Sequence, residues 1–320
     1  MRFRTRSRRG LPLVAALASV VLLATACGGD DNKLDATDDQ KSDSAKGSVV
    51  IGSAGFTEIQ LMAEMYKLLL EDAGYTASIQ VVQNREVYEP ALEDGDVDVV
   101  PDYAATMTEF LNVKANGPNA EPVATNDKDE TVEALNELGE PLGIKALEAA
   151  DAVDQNAFVA TKELADDKGA TLSEWEGESV VLAATEECPD RPFCQPGLEE
   201  TYGIEITEVL PLGFGTAQVK EAVTSGQAQL GLTGTTDATL EDLGLVVIED
   251  DKGLQLADNL VPVVGEQYAD DSDFADALNS LAGELTTEDL TELNRKVDAE
   301  RQKEADVAKA FLEEKGLIGG

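Results

Sequence analysis

The sequence predicts a two-lobed α/β protein in which each lobe is a sheet flanked by helices and the chain crosses twice between the lobes. Runs rich in β-branched residues alternate with amphipathic segments, the pattern of parallel strands joined by helices. The 273 residues from Ser48 to Gly320 exceed what one core usually holds. The alternation comes in two sets, and a helical tail follows the second set.

The first set predicts a sheet with a polar rim. The strand SVVIGSAG precedes a helix that Thr57 is expected to cap and Gly74 to end. The segments TASIQVVQ, REVYEPALEDG and DVDVVPDY predict a strand, a helix and a strand. In α/β sheets ligands bind outside the carboxyl ends of the strands. The predicted rim therefore comprises residues 53–57, 84–86 and 102–106.

The second set follows a helix at 128–142. It comprises the strands NAFVAT, SVVLAAT, ITEVLPL, AQLGLTGT and LGLVVIEDD, with helices TLSEWEG and TAQVKEAVTSGQ between them. The chain is predicted to cross between lobes near residues 152–156 and 252–259, which makes a hinge. Lobe one is expected to hold residues 48–153 and 258–320, the latter ending in helices over 271–317, and lobe two residues 154–257.

The N-terminus has the pattern of a secretory signal that ends at a lipidated cysteine. Five arginines precede an apolar run at 11–26, which is short for a membrane span. Residues 1–26 are predicted to be the signal peptide, Cys27 the lipid attachment site, and residues 27–47 an acidic flexible tether. The alternative is an ordinary cleaved signal with a chance cysteine. The lipoprotein pattern indicates a bacterial protein on the extracellular face of the cell membrane.

The charge and composition exclude several functions. The formal charge is −40, and −45 once residues 1–26 and their five arginines are removed. Nucleic acid is therefore not an expected partner, and membrane contact should come from the lipid alone. The acidity indicates either selection of cationic or zwitterionic ligands or a solvated acidic coat. Histidine is absent, so no catalytic or metal site is assigned, and no cofactor is expected.

Cys188 and Cys194 flank the short segment PDRPF. In an oxidising exterior these two residues are expected to form a disulfide. The alternative, half of a metal site, is weak because two thiolates without further ligands make a poor zinc site.

Four ordered motifs resemble one family. VVIGSAGFTEIQLMAEMYKLLLEDAGY, NREVYEPALEDGDVDVVPDYAAT, TTDATLEDLGLVVIEDDKG and ELNRKVD are similar to segments of substrate-binding proteins of osmoprotectant ABC importers, of the glycine betaine, carnitine and choline type. The resemblance runs from about Ser48 to Ile318. It implies a type II periplasmic-binding-protein-like fold, a small osmolyte as ligand, and permease and ATPase subunits as partners.

The resemblance also implies an aromatic cage, in which ring faces attract a quaternary ammonium. Tyr103 lies in PDYAAT, where the family has a cage tyrosine in PEYTGT. The other cage positions fall at Ala157, Gly234 and the pair Asp258–Asn259, so three of the four are not aromatic. A more polar or larger ligand than betaine therefore stays an alternative.

Other side chains can replace the missing rings. Asp102, Asp237 or Asp258 can neutralise a cation, and Asn156, Asn259, Thr235 and Thr236 can hydrogen-bond a polar ligand. Phe56, Phe158 and Phe214 are candidate replacement rings, although each is expected to pack in a core, as is Trp175. Arg85 is expected to pair with a ligand carboxylate or with Glu89. The predicted ligand-binding residues are Ser53, Phe56, Thr57, Arg85, Tyr103, Thr106, Asn156, Thr235, Thr236, Asp237, Asp258 and Asn259.

Two other functions compete with an importer receptor. A secreted enzyme that uses carboxylates is disfavoured because histidine and a nucleophile motif such as GxSxG are missing. A lipoprotein that senses a ligand without transporting it would have the same fold. A monomer is expected, because no exposed apolar interface is indicated.

Overall fold

The structure is a computed structural model that describes residues 46–82, 84–118 and 120–319. The predicted signal peptide and Cys27 lie outside the described residues, as does the predicted tether except for Lys46 and Gly47. None of the helices in the described ranges is both long and apolar enough to cross a membrane.

The described residues form strands and helices in close alternation until the C-terminal tail. The strands are β1 (Ser48–Ser53), β2 (Thr76–Val81), β3 (Val99–Tyr103), β4 (Ile144–Ala146), β5 (Asn156–Thr161), β6 (Ser179–Ala184), β7 (Glu205–Pro211), β8 (Leu230–Gly234), β9 (Leu245–Ile248) and β10 (Leu260–Gly265). The α-helices are α1 (Thr57–Asp72), α2 (Arg85–Asp94), α3 (Ala104–Asn116), α4 (Lys128–Gly139), α5 (Lys162–Lys168), α6 (Gln195–Tyr202), α7 (Ala217–Thr224), α8 (Ser272–Asn279), α9 (Thr287–Asp298) and α10 (Glu304–Lys315).

The strands form two separate sheets, one for each lobe. Their order is β2-β1-β3-β10-β4 in lobe one and β7-β6-β8-β5-β9 in lobe two. β1 is parallel to β2 and β3, whereas β10 is antiparallel to β3 and β4. Because β10 lies inside the first sheet although it follows β9 in the chain, the chain returns to lobe one after building lobe two. The predicted fold class, two α/β lobes joined by two crossings, is confirmed.

The two crossings connect β4 to β5 and β9 to β10, and they lie side by side. Val153 and Asn259 form an isolated antiparallel bridge, and the Asp154 amide donates a hydrogen bond to the Asp258 carbonyl at 3.1 Å. A short two-stranded connector therefore joins the lobes, and Asp154 and Asp258 lie opposite each other in it.

One predicted helix is not an α-helix. The segment TLSEWEG forms only a 3₁₀ turn at Leu172–Trp175. Gly169 and Gly177, which both have positive φ, flank it, so too few residues remain for an α-helix to close. Trp175 is 1% exposed and packs in the core of lobe two, as expected.

The predicted disulfide between Cys188 and Cys194 is present in lobe two, with the two Cα atoms 5.2 Å apart. Both half-cystines are buried in the core of this lobe. Within the loop, Pro189 and Pro192 restrict the backbone and the Arg191 amide donates to the Cys188 carbonyl at 3.3 Å. We call residues 188–194 the disulfide ring.

Reduction of the disulfide is expected to destabilise the protein without unfolding it. A loop this short restricts the unfolded chain by about 2 kcal/mol, which corresponds to a fall in Tm of about 4 to 8 °C for a chain of this size. Differential scanning calorimetry of the wild type and of a Cys188→Ser/Cys194→Ser variant, with and without reductant, measures this change. An unchanged Tm in the variant would show that the ring contributes no stability.

Candidate functional site

Two cavities lie in the cleft between the lobes, and each is lined by residues of both lobes. We call the first, of about 490 Å³, the aromatic cavity, because six rings line it. The second, of about 590 Å³, is the polar cavity, because threonines and charged side chains dominate its walls. Phe56 of lobe one and Phe214 of lobe two line both cavities and so form the wall between them.

The rings of the aromatic cavity come from both lobes. They are Phe56, Tyr88, Tyr103 and Phe110 from lobe one and Phe193 and Phe214 from lobe two. The Phe56 ring lies 5.1 Å from that of Phe214 and 6.5 Å from that of Tyr103, centroid to centroid. Phe158, by contrast, is 1% exposed and packs in the core of lobe two. Of the three phenylalanines expected to pack in the cores, Phe56 and Phe214 line the cavity and Phe158 packs in a core.

Arg85 forms a buried ion pair in the floor of the aromatic cavity. Its Nε donates to Asp102 Oδ2 at 3.1 Å, and its Nη2 donates to Asp102 Oδ1 and to Thr106 Oγ1, the latter at 2.8 Å. The Tyr88 hydroxyl donates to the same Asp102 carboxylate at 2.6 Å. Asp102 therefore neutralises Arg85 and is not free to neutralise a ligand cation.

The alternative partner predicted for Arg85 was wrong. Glu89 is bound by Lys114, whose Nζ donates to both carboxylate oxygens at 2.8 Å. Lys114 belongs to α3 and binds both Glu89 and Glu93 of α2, so the tertiary arrangement gives Glu89 a partner from another helix. The ligand carboxylate remains a predicted partner of Arg85, because Arg85 lines the cavity.

Asp258 is a buried acid of the aromatic cavity that forms no salt bridge within the described residues. Its Oδ1 accepts hydrogen bonds from the backbone amides of Ala105 at 2.7 Å and Thr106 at 3.2 Å, at the first turn of α3. Burial raises the pKa of Asp258 to about 7, against the opposing influence of Arg85 and these amides. A cation in the cavity would meet a carboxyl group that is ready to ionise.

A second buried acid, Glu58, connects the lobes behind the aromatic cavity. Its Oε1 accepts from the Tyr103 hydroxyl at 2.6 Å, and its Oε2 accepts from Thr236 Oγ1 at 2.7 Å and Asn294 Nδ2 at 2.6 Å. The carboxyl of Asp154 lies within hydrogen-bonding reach of Glu58. Thr236 belongs to lobe two and the other donors to lobe one, so this single carboxyl group bridges the cleft.

The carboxyl groups of Glu58 and Asp154 are both buried, and both have a raised pKa. Both residues are 4% exposed. Burial raises the pKa of Glu58 despite its hydrogen-bond donors, and burial followed by the charge of Glu58 raises the pKa of Asp154. Asp154 also accepts from Thr235 Oγ1 and the Thr236 amide, both at 3.0 Å. Asp154 lines both cavities, so the pair can respond to a ligand in either one.

Asp154 explains one of the missing cage positions. Gly234 ends β8, and a Cβ atom there would lie 2.3 Å from Asp154 Oδ2, closer than real Cβ contacts approach. Any larger residue at this position would displace the Asp154 carboxyl group. The glycine that falls at a cage-tyrosine position therefore makes room for an acid.

The remaining predicted residues have other neighbours. Thr57 does not cap α1 as predicted, since its hydroxyl donates to Asp298 Oδ1 of α9 at 2.7 Å. Asp237 lines the polar cavity and binds Lys220 Nζ at 2.7 Å. Although burial opposes it, the Lys220 ammonium lowers the pKa of Asp237.

Three predicted residues are not among the described residues that line either cavity. Ser53 donates its hydroxyl to the Ala54 carbonyl at 3.1 Å, and Thr235 binds Asp154 as described. Asn259 donates its side-chain amide to the Ala150 carbonyl at 2.9 Å and so connects the two crossings. Asn156 begins β5 and does line the aromatic cavity.

Sequence reasoning missed many residues of the cleft. Among them are Glu58, Tyr88, Phe110, Asp154, Phe193 and Asn294. Glu58 follows directly after the predicted rim, and Asn294 lies in the ELNRKVD motif, so the sequence offered a reason to consider both residues. For Phe193, the one signal in the sequence is its place in the short loop between Cys188 and Cys194.

A cleft between two α/β lobes joined by two crossings, with a ring-lined cavity in it, defines the class of two-lobed solute-binding proteins. A family model described as the substrate-binding domain of ABC-type glycine betaine transport systems matches residues 47–314. The chain belongs to this family, and it is accordingly a substrate-binding receptor of an ABC transporter and not an enzyme.

Individual relatives agree with this assignment. A glycine-betaine-binding protein of Pseudomonas aeruginosa is 25% identical over 84% of this chain and 88% of its own length. A carnitine transport binding protein of Listeria monocytogenes is 22% identical over 87% of this chain and 90% of its own length.

Solved structures show the same fold at low identity. One, described as a glycine betaine/carnitine/choline ABC transporter, has a TM-score of 0.62 at 20% identity and covers 85% of this chain and 99% of its own. A choline-binding protein in complex with choline has a TM-score of 0.59 at 14% identity, with 84% and 89% covered.

The stability contribution of the buried acids is expected to fall as the pH rises. Because their folded-state pKa values are raised, the folded state holds more protons than the unfolded state above about pH 4, so the free energy of unfolding falls from there towards the folded-state pKa, about 7 for Asp258. Glu58→Gln, which mimics the protonated form, is expected to reduce this loss between pH 5 and pH 8 by on the order of 1 kcal/mol per pKa unit removed.

Urea denaturation of the wild type and the variant at both pH values measures this effect. Glu71→Gln, at an exposed position on the same helix, is the matched control and should keep the wild-type pH dependence. If Glu58→Gln keeps it too, the pKa of Glu58 is not raised.

Proposed function

We propose that the protein captures a small quaternary ammonium compound, of the glycine betaine, choline or carnitine type, in the aromatic cavity and delivers it to the permease of an ABC importer. The observation that carries the proposal is the convergence of rings from both lobes on one cavity, with Phe56 and Phe214 in contact across the cleft at 5.1 Å. A quaternary ammonium has no N–H to donate, so ring faces and carboxylates are the groups that can attract it. The names of the relatives from Pseudomonas and Listeria support the same ligand class.

The polar groups of the cavity suggest how such a ligand lies. Asp258 and Asp154 provide carboxyl groups to the cavity, and Arg85 provides a guanidinium group that Asp102 already binds. An ammonium group is expected between the rings and the acids, and a ligand carboxylate near Arg85. A volume of about 490 Å³ is within the usual range for small-molecule sites.

A larger or more polar ligand on the same scaffold is the second candidate. Two buried oxygen atoms at the aromatic cavity, Asn84 Oδ1 and Thr185 Oγ1, have no hydrogen-bond partner within the described residues. Buried polar atoms are normally satisfied, so these two favour a ligand with groups that pair with them. The carboxyl group of Asp154 also favours a more polar ligand, because it occupies the space that a ring at position 234 would need.

The lobes are proposed to close on the ligand as two bodies, residues 48–153 with 258–320 and residues 154–257. The side-by-side crossings form the proposed hinge. Closure expels water from the cleft and brings Phe56 against Phe214, which strengthens the attraction of both rings for a cation.

The receptor is further proposed to be a monomer anchored on the extracellular face of the cell membrane by lipid on Cys27. The acidic segment between Cys27 and β1 then serves as a tether that lets the receptor reach its permease.

Binding is tested by isothermal titration of the chain from residue 28 onwards with glycine betaine, choline and carnitine. A ligand at a hundred times its Kd also adds about 2.7 kcal/mol of stability, which a thermal shift detects. Phe214→Ala is expected to weaken binding by about 5- to 30-fold, because one desolvated cation–π contact is lost. Phe214→Tyr keeps the ring and is the matched control.

Equal affinity of Phe214→Ala and wild type would contradict the assignment of the aromatic cavity as the cation site. Failure of all three compounds, together with a thermal shift by an uncharged polar metabolite, would favour the second candidate.

Lipidation is tested by labelling cells with radioactive palmitate. The wild-type protein is expected to carry the label and to fractionate with membranes, whereas Cys27→Ser should carry none, because the thioether cannot form. Cys188→Ser/Cys194→Ser is the control and should stay labelled. An unlabelled wild-type protein would favour an ordinary cleaved signal.

A further inference from the structure

The disulfide ring contains the part of lobe two that reaches across the mouth of the aromatic cavity. Arg191, in the middle of the ring, donates to Glu86 at the first turn of α2 through Nε at 3.2 Å and Nη2 at 2.9 Å. Just before the ring, the Glu187 carboxylate accepts from the side-chain amide of Asn84, the residue before α2. Two neighbouring residues of lobe one are thus held by one short loop of lobe two.

The same ring supplies part of the cavity wall. Arg191, Pro192, Phe193 and Cys194 all line the aromatic cavity. The Phe193 carbonyl accepts from the buried side-chain amide of Gln255 at 2.8 Å, and Gln255 belongs to the second crossing. The ring is therefore fixed to its own lobe at the hinge side and by the disulfide, so its contact with lobe one moves with the whole of lobe two.

The Arg191–Glu86 pair differs from an ordinary surface ion pair in its geometry. The two side chains are 30% and 35% exposed, and both Arg191 nitrogens bind the same carboxylate. Bidentate contacts of this kind fix orientation as well as distance. Glu86 follows Arg85, so the contact also sets the position of the helix end that carries the cavity's buried arginine.

We propose that the disulfide ring is the element that closes the aromatic cavity, with Arg191 gripping Glu86 and thereby placing the Phe193 ring over the bound cation. Phe193 then serves as a lobe-two cage ring in place of the cage tyrosines absent from this chain, and Arg191 is a positioning residue. The part of this proposal that concerns Phe193 rests on the proposed function.

The grip is tested without any ligand by small-angle X-ray scattering of the chain from residue 28 onwards. Arg191→Gln is expected to give a larger radius of gyration than wild type, and the charge exchange Glu86→Arg/Arg191→Glu should restore the wild-type value. Arg295→Gln is the matched control, because Arg295 also binds a carboxylate through two nitrogens, but on the outer surface of α9. An unchanged radius of gyration in Arg191→Gln would overturn the grip.

The cage role of Phe193 is tested by titration with choline and glycine betaine. Phe193→Leu, which keeps bulk and removes the ring face, is expected to raise the Kd about tenfold, while Phe193→Tyr stays near wild type. Arg191→Gln should raise the Kd as well, and the charge exchange should recover it, a rescue that loss of packing alone would not give. Wild-type affinity in Phe193→Leu would overturn the cage role.

The two tests also separate this proposal from the proposed function. If wild type binds neither choline nor glycine betaine, the quaternary ammonium proposal fails and with it the cage role of Phe193, whereas the scattering result still decides the grip.

Discussion

The buried Glu58 carboxyl group links the two lobes by accepting hydrogen bonds from both of them. It accepts hydrogen bonds from Tyr103 of β3, Thr236 of lobe two and Asn294 of α9, three segments that are far apart in the sequence. Taking an ionised carboxyl out of water is costly, so the group holds a proton or depends on these donors. The same acid holds the Tyr103 hydroxyl, and the Phe56 ring lies nearly parallel to the Tyr103 ring with their centroids 6.5 Å apart.

Asp154 extends the same constraint to the ligand. The resemblance to the family implies a cage of ring faces, whereas here a carboxyl group occupies the space that Gly234 leaves open. A ring needs no ionisation to attract a cation, whereas a buried acid must first lose its proton or be compensated. The cleft therefore offers a cation two kinds of attraction. The phenylalanine ring faces need no ionisation, whereas the buried acids attract the cation only in their ionised form, which the cation itself favours.

The fold was predictable because strand and helix periodicities are local, and the return of the chain through β10 followed from where the helical tail begins. The location of the rim was predictable for the same reason, since parallel strands end together, and Arg85, Tyr103, Thr106 and Asp258 do line one cavity. Their partners were not predictable. Thr57 binds Asp298 instead of capping its helix, and Arg85 binds Asp102 instead of Glu89, because these partners come from packing between elements and not from sequence spacing.

The two buried cations at the cavities, Arg85 and Lys220, are each paired with an aspartate. Arg85 is neutralised by Asp102 inside the wall, and Lys220 by Asp237 beside the polar cavity, so these cations do not repel a cationic ligand. Asp258 and Asp154 line the aromatic cavity without a salt bridge within the described residues, so both acids and the ring faces favour positive charge there. A bound cation would supply the charge compensation that a proton otherwise gives Asp258. If the ligand is a cation, as proposed, its binding would favour the ionised form of these acids, and binding would be accompanied by proton release.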